Sequence, residues 1–217
     1  MRRTMVSLGL AGAWLLAVSG AAAQAAPAEC GEPVAAPTYN VGETWTWRDE
    51  KGREWSNEVL RIEGGMTQIK LPNGSIAYVD KDWVMRQVQT PDGKLITTQG
   101  AGTYTQIGQK DLDFPAQVGK QWMFTYPSPP SAGTGTMVTY VLRYSVVACE
   151  EVALPAGTFP ALRVKVDQSI MGQSGSGTFF LWYAPRAKQW VKKQFVPSSW
   201  FSGTRFRDYE LIRCGVK

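Results

Sequence analysis

The sequence contains no histidine. That absence removes the imidazole base of serine and cysteine hydrolases, the usual histidine-containing zinc sites and the ordinary side-chain pH switch near neutrality. Cysteine is scarce too: Cys30, Cys149 and Cys214 stand too far apart to make a metal site without help. Long apolar runs are missing, and the one near the start is too short and too rich in Gly and Ala for a membrane span. Charge excess is small. The net +5 includes Arg2 and Arg3, and losing both leaves +3, too little to argue for nucleic acid.

Those two arginines open a stretch with the layout of a secretory signal peptide. They precede an apolar run from Met5 to Val18 and the small residues 21–25, with cleavage fitting after Ala23 or Ala25. A twin-arginine signal is the weaker reading, and Pro27-Ala28-Glu29 before Cys30 does not suit a lipid-attachment site. The expectation is a periplasmic or secreted protein, with residues 1–25 removed and residues 26–217 forming a single β domain. In an oxidising compartment two of the three cysteines pair, and the sequence does not choose which.

Beyond the leader the periodic signal is two-fold. Val138, Tyr140, Leu142, Tyr144 and Val146 form one wholly apolar face, and Leu162, Val164 and Val166 alternate with Arg163, Lys165 and Asp167. Such runs predict half-buried antiparallel strands. Turn signals recur at Glu63-Gly64-Gly65, Pro72-Asn73-Gly74, Pro91-Asp92-Gly93 and Pro155-Ala156-Gly157, so the strands are expected to form a meander. Asn73-Gly74 reads as a tight hairpin whose two residues tolerate positive φ, in preference to a glycosylation site. Gly/Ser-rich segments 128–136 and 172–178 read as loops. Residues 98–111 give no clear pattern.

One motif occurs twice. Val41-Gly42-Glu43-Thr44-Trp45-Thr46-Trp47 parallels Val118-Gly119-Lys120-Gln121-Trp122-Met123-Phe124, and Trp83-Val84 with Gln87 parallels Trp190-Val191 with Gln194. The repeat predicts two similar halves, about 38–110 and 111–217. Residues two apart on a strand share a face, so Trp45 with Trp47, and Trp122 with Phe124, are expected to pair. The fold class expected is all-β: an antiparallel meander sheet curled into an open half-barrel.

The segments "DFPAQVGKQW", "CEEVALPAGTFPALRV", "FFLWYAPRAKQWVKKQF" and "RDYELI" occur in that order across residues 111–212. Through a Pro-x-x-Val-Gly-x-x-Trp strand start, a Pro-Ala-Gly-Thr-Phe hairpin, a Trp-Tyr-Ala-Pro segment and a terminal Tyr-Glu-Leu strand, this part of the chain resembles a family of uncharacterised bacterial exported proteins. The resemblance implies a curled antiparallel sheet similar to the unclosed half-barrels of envelope lipoprotein carriers. It implies no reaction.

Catalytic candidates are weak. Glu150 and Glu151 are neighbours on a strand and point to opposite faces, so a dyad would need a distant partner such as Asp80, Asp82 or Asp167. Ser176 lies in a Gly-Ser-Gly stretch without a nucleophile elbow. Aromatics carry the stronger signal: eight of the nine tryptophans lie beyond the leader. A concave sheet face bearing Trp45, Trp47, Trp122, Phe124, Tyr140, Tyr144, Trp182 and Trp190 would suit an apolar or amphipathic envelope molecule such as a lipid. Arg186, Lys188, Lys192 and Lys193 would then meet its anionic end, with peripheral membrane contact as a corollary. The expected protein is therefore a non-enzymatic binder with no metal, no cofactor and no nucleic-acid partner. An envelope protein-interaction module is the second expectation and carbohydrate binding the third.

Overall fold

A computed structural model describes residues 28–97, 107–128, 137–198 and 207–217. The leader expectation, residues 129–136 of the loop expected at 128–136 and residues 98–106 of the unpatterned stretch 98–111 fall outside the described residues. A single turn of helix, α1 (Ala28–Gly31), precedes twelve strands. The first six are β1 (Thr44–Asp49), β2 (Glu54–Glu63), β3 (Met66–Lys70), β4 (Ile76–Val79), β5 (Met85–Gln89) and β6 (Leu95–Ile96). The others are β7 (Gln121–Ser128), β8 (Val138–Leu154), β9 (Gly157–Ile170), β10 (Ser176–Ala184), β11 (Gln189–Phe195) and β12 (Tyr209–Gly215). All belong to one antiparallel sheet in the order β6-β5-β4-β3-β2-β1-β12-β11-β10-β9-β8-β7, so among the described residues β6 and β7 are the open edges. Two six-strand meanders meet where β12 pairs with β1.

The repeated motif does the same work in each half. Gly42 N–H donates to Val59 O at 2.8 Å, Val59 N–H to Glu43 O and Glu43 N–H to Asn40 O. Gly119, Val146, Lys120 and Gln117 repeat that pattern, with Gly119 N–H donating to Val146 O at 2.8 Å. Both glycines need positive φ, 84° and 91°, which an L side chain would resist. The aromatics after them do share faces, but Trp45 does not pair with Trp47 nor Trp122 with Phe124: Trp47 and Trp122 pair across strands, and Phe124 stacks on Tyr126 further along β7 at 6.2 Å. Trp47 stacks on Trp55 opposite it, Trp122 on Tyr144 at 4.9 Å, and Trp45 meets Tyr39 edge-on. Directly opposed residues lie about 5 Å apart, whereas same-face neighbours along a strand are separated by two rises of about 3.3 Å each.

Turn expectations are refined in two places. At the β3–β4 hairpin only Gly74 takes positive φ; Asn73 instead accepts the Ser75 N–H through its side chain, an Asx turn. Segment 172–178 is not a loop throughout, because β10 begins at Ser176 and leaves only a short turn after β9. The Pro155-Ala156 turn joins two long strands, with Leu154 opposite Gly157 and Gly157 at φ 126°.

Curling brings distant strands together on one face. Leu162, Val164 and Val166 on β9 lie opposite Cys149, Val146 and Tyr144 on β8 and opposite Tyr183, Leu181 and Phe179 on β10. This face forms the largest buried cluster, with Leu112, Ala116 and Trp190. Trp83, in the β4–β5 turn, packs on Tyr183 and Trp190 from the other half, with centroids at 5.3 and 5.6 Å. A strap, residues 107–116, crosses the same concavity. Gly108 N–H bonds Met85 O on β5, Gln109 bonds the Tyr144 hydroxyl on β8, and the Trp122 indole of β7 bonds Lys110 O. Cys30 pairs with Cys149 across 119 residues, pinning the N-terminal segment to β8, while Cys214 is free and half-buried.

Candidate functional site

Against the inner face of β1–β5 lies a cavity of about 510 Å³. Its walls include Trp47, Trp55, Trp83 and Trp190, with Ile69, Leu71, Ala77, Val79 and Met85. Aliphatic positions at a spacing of two on β3 and β4 supply one wall, and the Trp83–Trp190 contact supplies the other. Gln109 and Asp111 of the strap, with Trp190 and Tyr209, close one end. Those same four residues also line a smaller cavity of about 200 Å³ over β8, β10 and β11, so the two spaces adjoin.

The smaller space is polar at its centre. Lys193 and Tyr209 are directly opposed across β11 and β12 and both line it. The Lys193 ammonium lies 4.5 Å from the ring centre of Phe179 and 4.6 Å from that of Phe195, a cation–π seat. Among the described residues neither the ammonium nor the Tyr209 hydroxyl makes a hydrogen bond. Burial pushes Lys193 down to about 8, partly offset by the charges of Asp111 and Asp208. Burial likewise raises Asp111 to about 6, against the opposing influence of its Gln109 hydrogen bond and of Lys193. Tyr209 and Tyr144 are both held above the ordinary phenol value, chiefly by burial and then by the charge of Asp111. They stay protonated at any physiological pH. The Gln109 amide donates to both Asp111 and the Tyr144 hydroxyl, which fixes the strap over this centre.

No family model and no curated protein matches the chain. Among solved structures it is similar to the hypothetical lipoprotein YmcC of Escherichia coli, at 9% identity and a TM-score of 0.42, over 84% of this chain and 89% of that one. A candidate lipoprotein of Parabacteroides distasonis is similar at 13% identity and a TM-score of 0.35, over 85% and 99%. A candidate exported protein with a YmcC-like fold from Bacteroides fragilis is similar at 14% and 0.36, over 85% and 99%. None is close enough to lend this chain a function.

The aromatics singled out by sequence divide into three groups. Trp47 and Trp190 line the large cavity and Tyr144 the small one. Trp122, Phe124 and Tyr140 form a half-buried row towards the open β7 edge, where Tyr126 stacks on Tyr140 at 5.2 Å. Trp45 and Trp182 are core: Trp45 is 0% exposed with its indole on Ala187 O, and the Trp182 indole donates to Glu150 on the opposite face. Neither has surface to offer in either cavity.

The four basic residues also part company. Lys193 alone lines a cavity. Lys188 is tied to the fully buried Glu43 at 2.6 Å, Lys192 lies over the Trp182 ring on the far face, and Arg186 is exposed in the β10–β11 turn. Three of the acids weighed for catalysis are occupied structurally, and Glu151 is exposed. Glu150 holds Trp182 and Arg163, Asp80 holds Arg86 and two backbone amides, and Asp167 holds Lys165 and Thr178. Sequence reading missed Trp55, Trp83, Gln109, Asp111 and Tyr209. Trp55 and Trp83 were visible as tryptophans, but nothing in the local pattern marks Asp111 or Tyr209.

Proposed function

We propose that this is an exported, non-enzymatic binding protein that holds the apolar part of an envelope molecule in the concavity of its sheet. The observation that carries the reading is the cavity of about 510 Å³ walled by four tryptophans and aliphatic side chains. Its size falls within the range of small-molecule sites, and its lining is mostly apolar with a few polar groups at one end. The leader-like residues 1–25 support export.

N-phenyl-1-naphthylamine, a neutral fluorophore that brightens in apolar surroundings, tests it directly. The purified protein is expected to bind the probe with quenching of tryptophan emission. Leu71→Trp, which fills the cavity from the turn just after β3, is expected to abolish that binding while the protein stays folded by circular dichroism. Absence of binding to the unaltered protein, or equal binding to the variant, refutes the reading. A protein-docking role is the second reading, because the open edge β7 presents uncharged Gln121, Met123, Thr125 and Pro127, with Met123 61% exposed.

A further inference from the structure

We infer that the smaller cavity is the seat of a single carboxylate, so that the ligand class is a long-chain carboxylic acid whose tail occupies the larger cavity. The inference rests on the binding role proposed above and adds the chemistry of the head.

Three observations converge on one negative charge carried by two oxygens. First, Lys193 and Tyr209 are register partners on the same face, so their side chains leave the sheet about 5 Å apart and end in the same space. One is a cation and the other a neutral phenol, and among the described residues neither makes a hydrogen bond to the protein. A carboxylate offers one oxygen to each. Second, the ammonium sits on the faces of Phe179 and Phe195 and meets no carboxylate within ion-pair distance among the described residues. A half-buried ammonium without a hydrogen-bonded counter-ion carries a desolvation cost, and an incoming anion supplies what is missing. Third, the surroundings limit that anion's charge. Asp111 faces the space from the strap, and Asp208, which accepts the Phe195 N–H at 2.7 Å, stands beside it on the approach to β12. With both acids ionised against one lysine the local charge is a net negative one, so every anion meets some repulsion from them and a dianionic phosphate monoester meets about twice that of a monoanion. The remaining neighbours, Tyr126, Tyr144 and Gln168, are uncharged.

The tail has a space beside the head. Gln109, Asp111, Trp190 and Tyr209 line both cavities, so the tryptophan-walled space lies directly across them from the Lys193–Tyr209 pair, and a chain reaching it passes between these side chains.

The test compares three probes of equal chain length by displacement of N-phenyl-1-naphthylamine at pH 7: dodecanoate, dodecanol and dodecyl phosphate. Dodecanoate is expected to bind tightest. Lys193→Gln is expected to weaken dodecanoate by about tenfold or more, the scale of a hydrogen bond to a charged group, and to leave dodecanol unchanged. Tyr209→Phe is expected to lower dodecanoate affinity several-fold with the same spectrum and the same dodecanol affinity. If dodecanoate and dodecanol bind equally and Lys193→Gln changes neither, the carboxylate seat is refuted while the apolar cavity stands. Tighter binding of dodecyl phosphate overturns the monoanion assignment. If no probe binds, both this inference and the binding role fall together.

Discussion

Replacing Asp111 by Asn isolates the electrostatics of the buried centre. The two side chains have the same shape, and Asn retains an oxygen to accept the Gln109 amide, so the change removes little besides a charge. In the folded protein the Asp111 carboxyl titrates near 6 instead of its ordinary 3.8, chiefly because burial penalises the ionised form. Between those values the folded protein holds a proton that the unfolded chain has already released. Stability contributed at this position therefore falls as pH rises from about 4 to about 6, and stays lowered above that. The full displacement corresponds to about 3 kcal/mol. The Asn variant has no proton to lose. It should match the unaltered protein near pH 4 and exceed it by up to about 3 kcal/mol at pH 7. Urea denaturation of both proteins at pH 4.5, 5.5, 6.5 and 7.5 reads the difference, and the paired comparison cancels every other carboxylate. A difference that does not vary with pH, or an Asn variant less stable at pH 7, would show that the carboxyl is solvated and the centre wet. The same substitution removes the acid nearest the proposed carboxylate seat, so dodecanoate should bind the variant more tightly at pH 7.

Other parts of the molecule give independent checks. Reducing the Cys30–Cys149 bridge, or replacing both cysteines by Ser, frees a loop spanning 119 residues, and is expected to lower stability by about 2–5 kcal/mol in urea denaturation. Thiol titration should count one free cysteine before reduction and three after. Lys188→Met leaves Glu43, 0% exposed, without its cation. The expected loss is about 3–5 kcal/mol. Adding Glu43→Gln to that variant should restore much of it, and a double variant no better than the single one would argue against a buried pair. Trp83→Ala removes the wedge between the halves and should cost about 3–5 kcal/mol together with probe binding in the large cavity.

Strands were legible because one face of the sheet is dry. Alternation survives wherever a face is buried, as in Val138 to Val146, and the Val-Gly repeat marked the start of each meander because only glycine fits the positive φ there. The misplacements trace to bulges. Trp190 and Lys192 are two apart and by simple alternation share a face. The register slips at Val191, so Trp190 lies opposite Tyr183 while Lys192 lies opposite Trp182, and it is Lys193 that faces inward with Trp190. A bulge at Val147 likewise sets Cys149 on the face of Val146, where it meets Cys30. No residue type marks either slip. Asp111 and Gln109 were illegible for a different reason: their chemistry comes from a strap laid over the concavity, and burial by distant strands leaves no local periodicity.

The joint between the two meanders is uneven. On one side β12 runs against β1 through six residue pairs, from Thr44–Gly215 to Asp49–Tyr209. On the other, among the described residues, it meets β11 through two, Lys192–Glu210 and Lys193–Tyr209. The molecule thus has a crease. Among the described strands of the inner half, parting along that line sacrifices few backbone bonds, and it leads straight into the smaller cavity. Lys193 and Tyr209 stand on opposite banks of it, so anything gripped by both is also a clasp holding the crease shut.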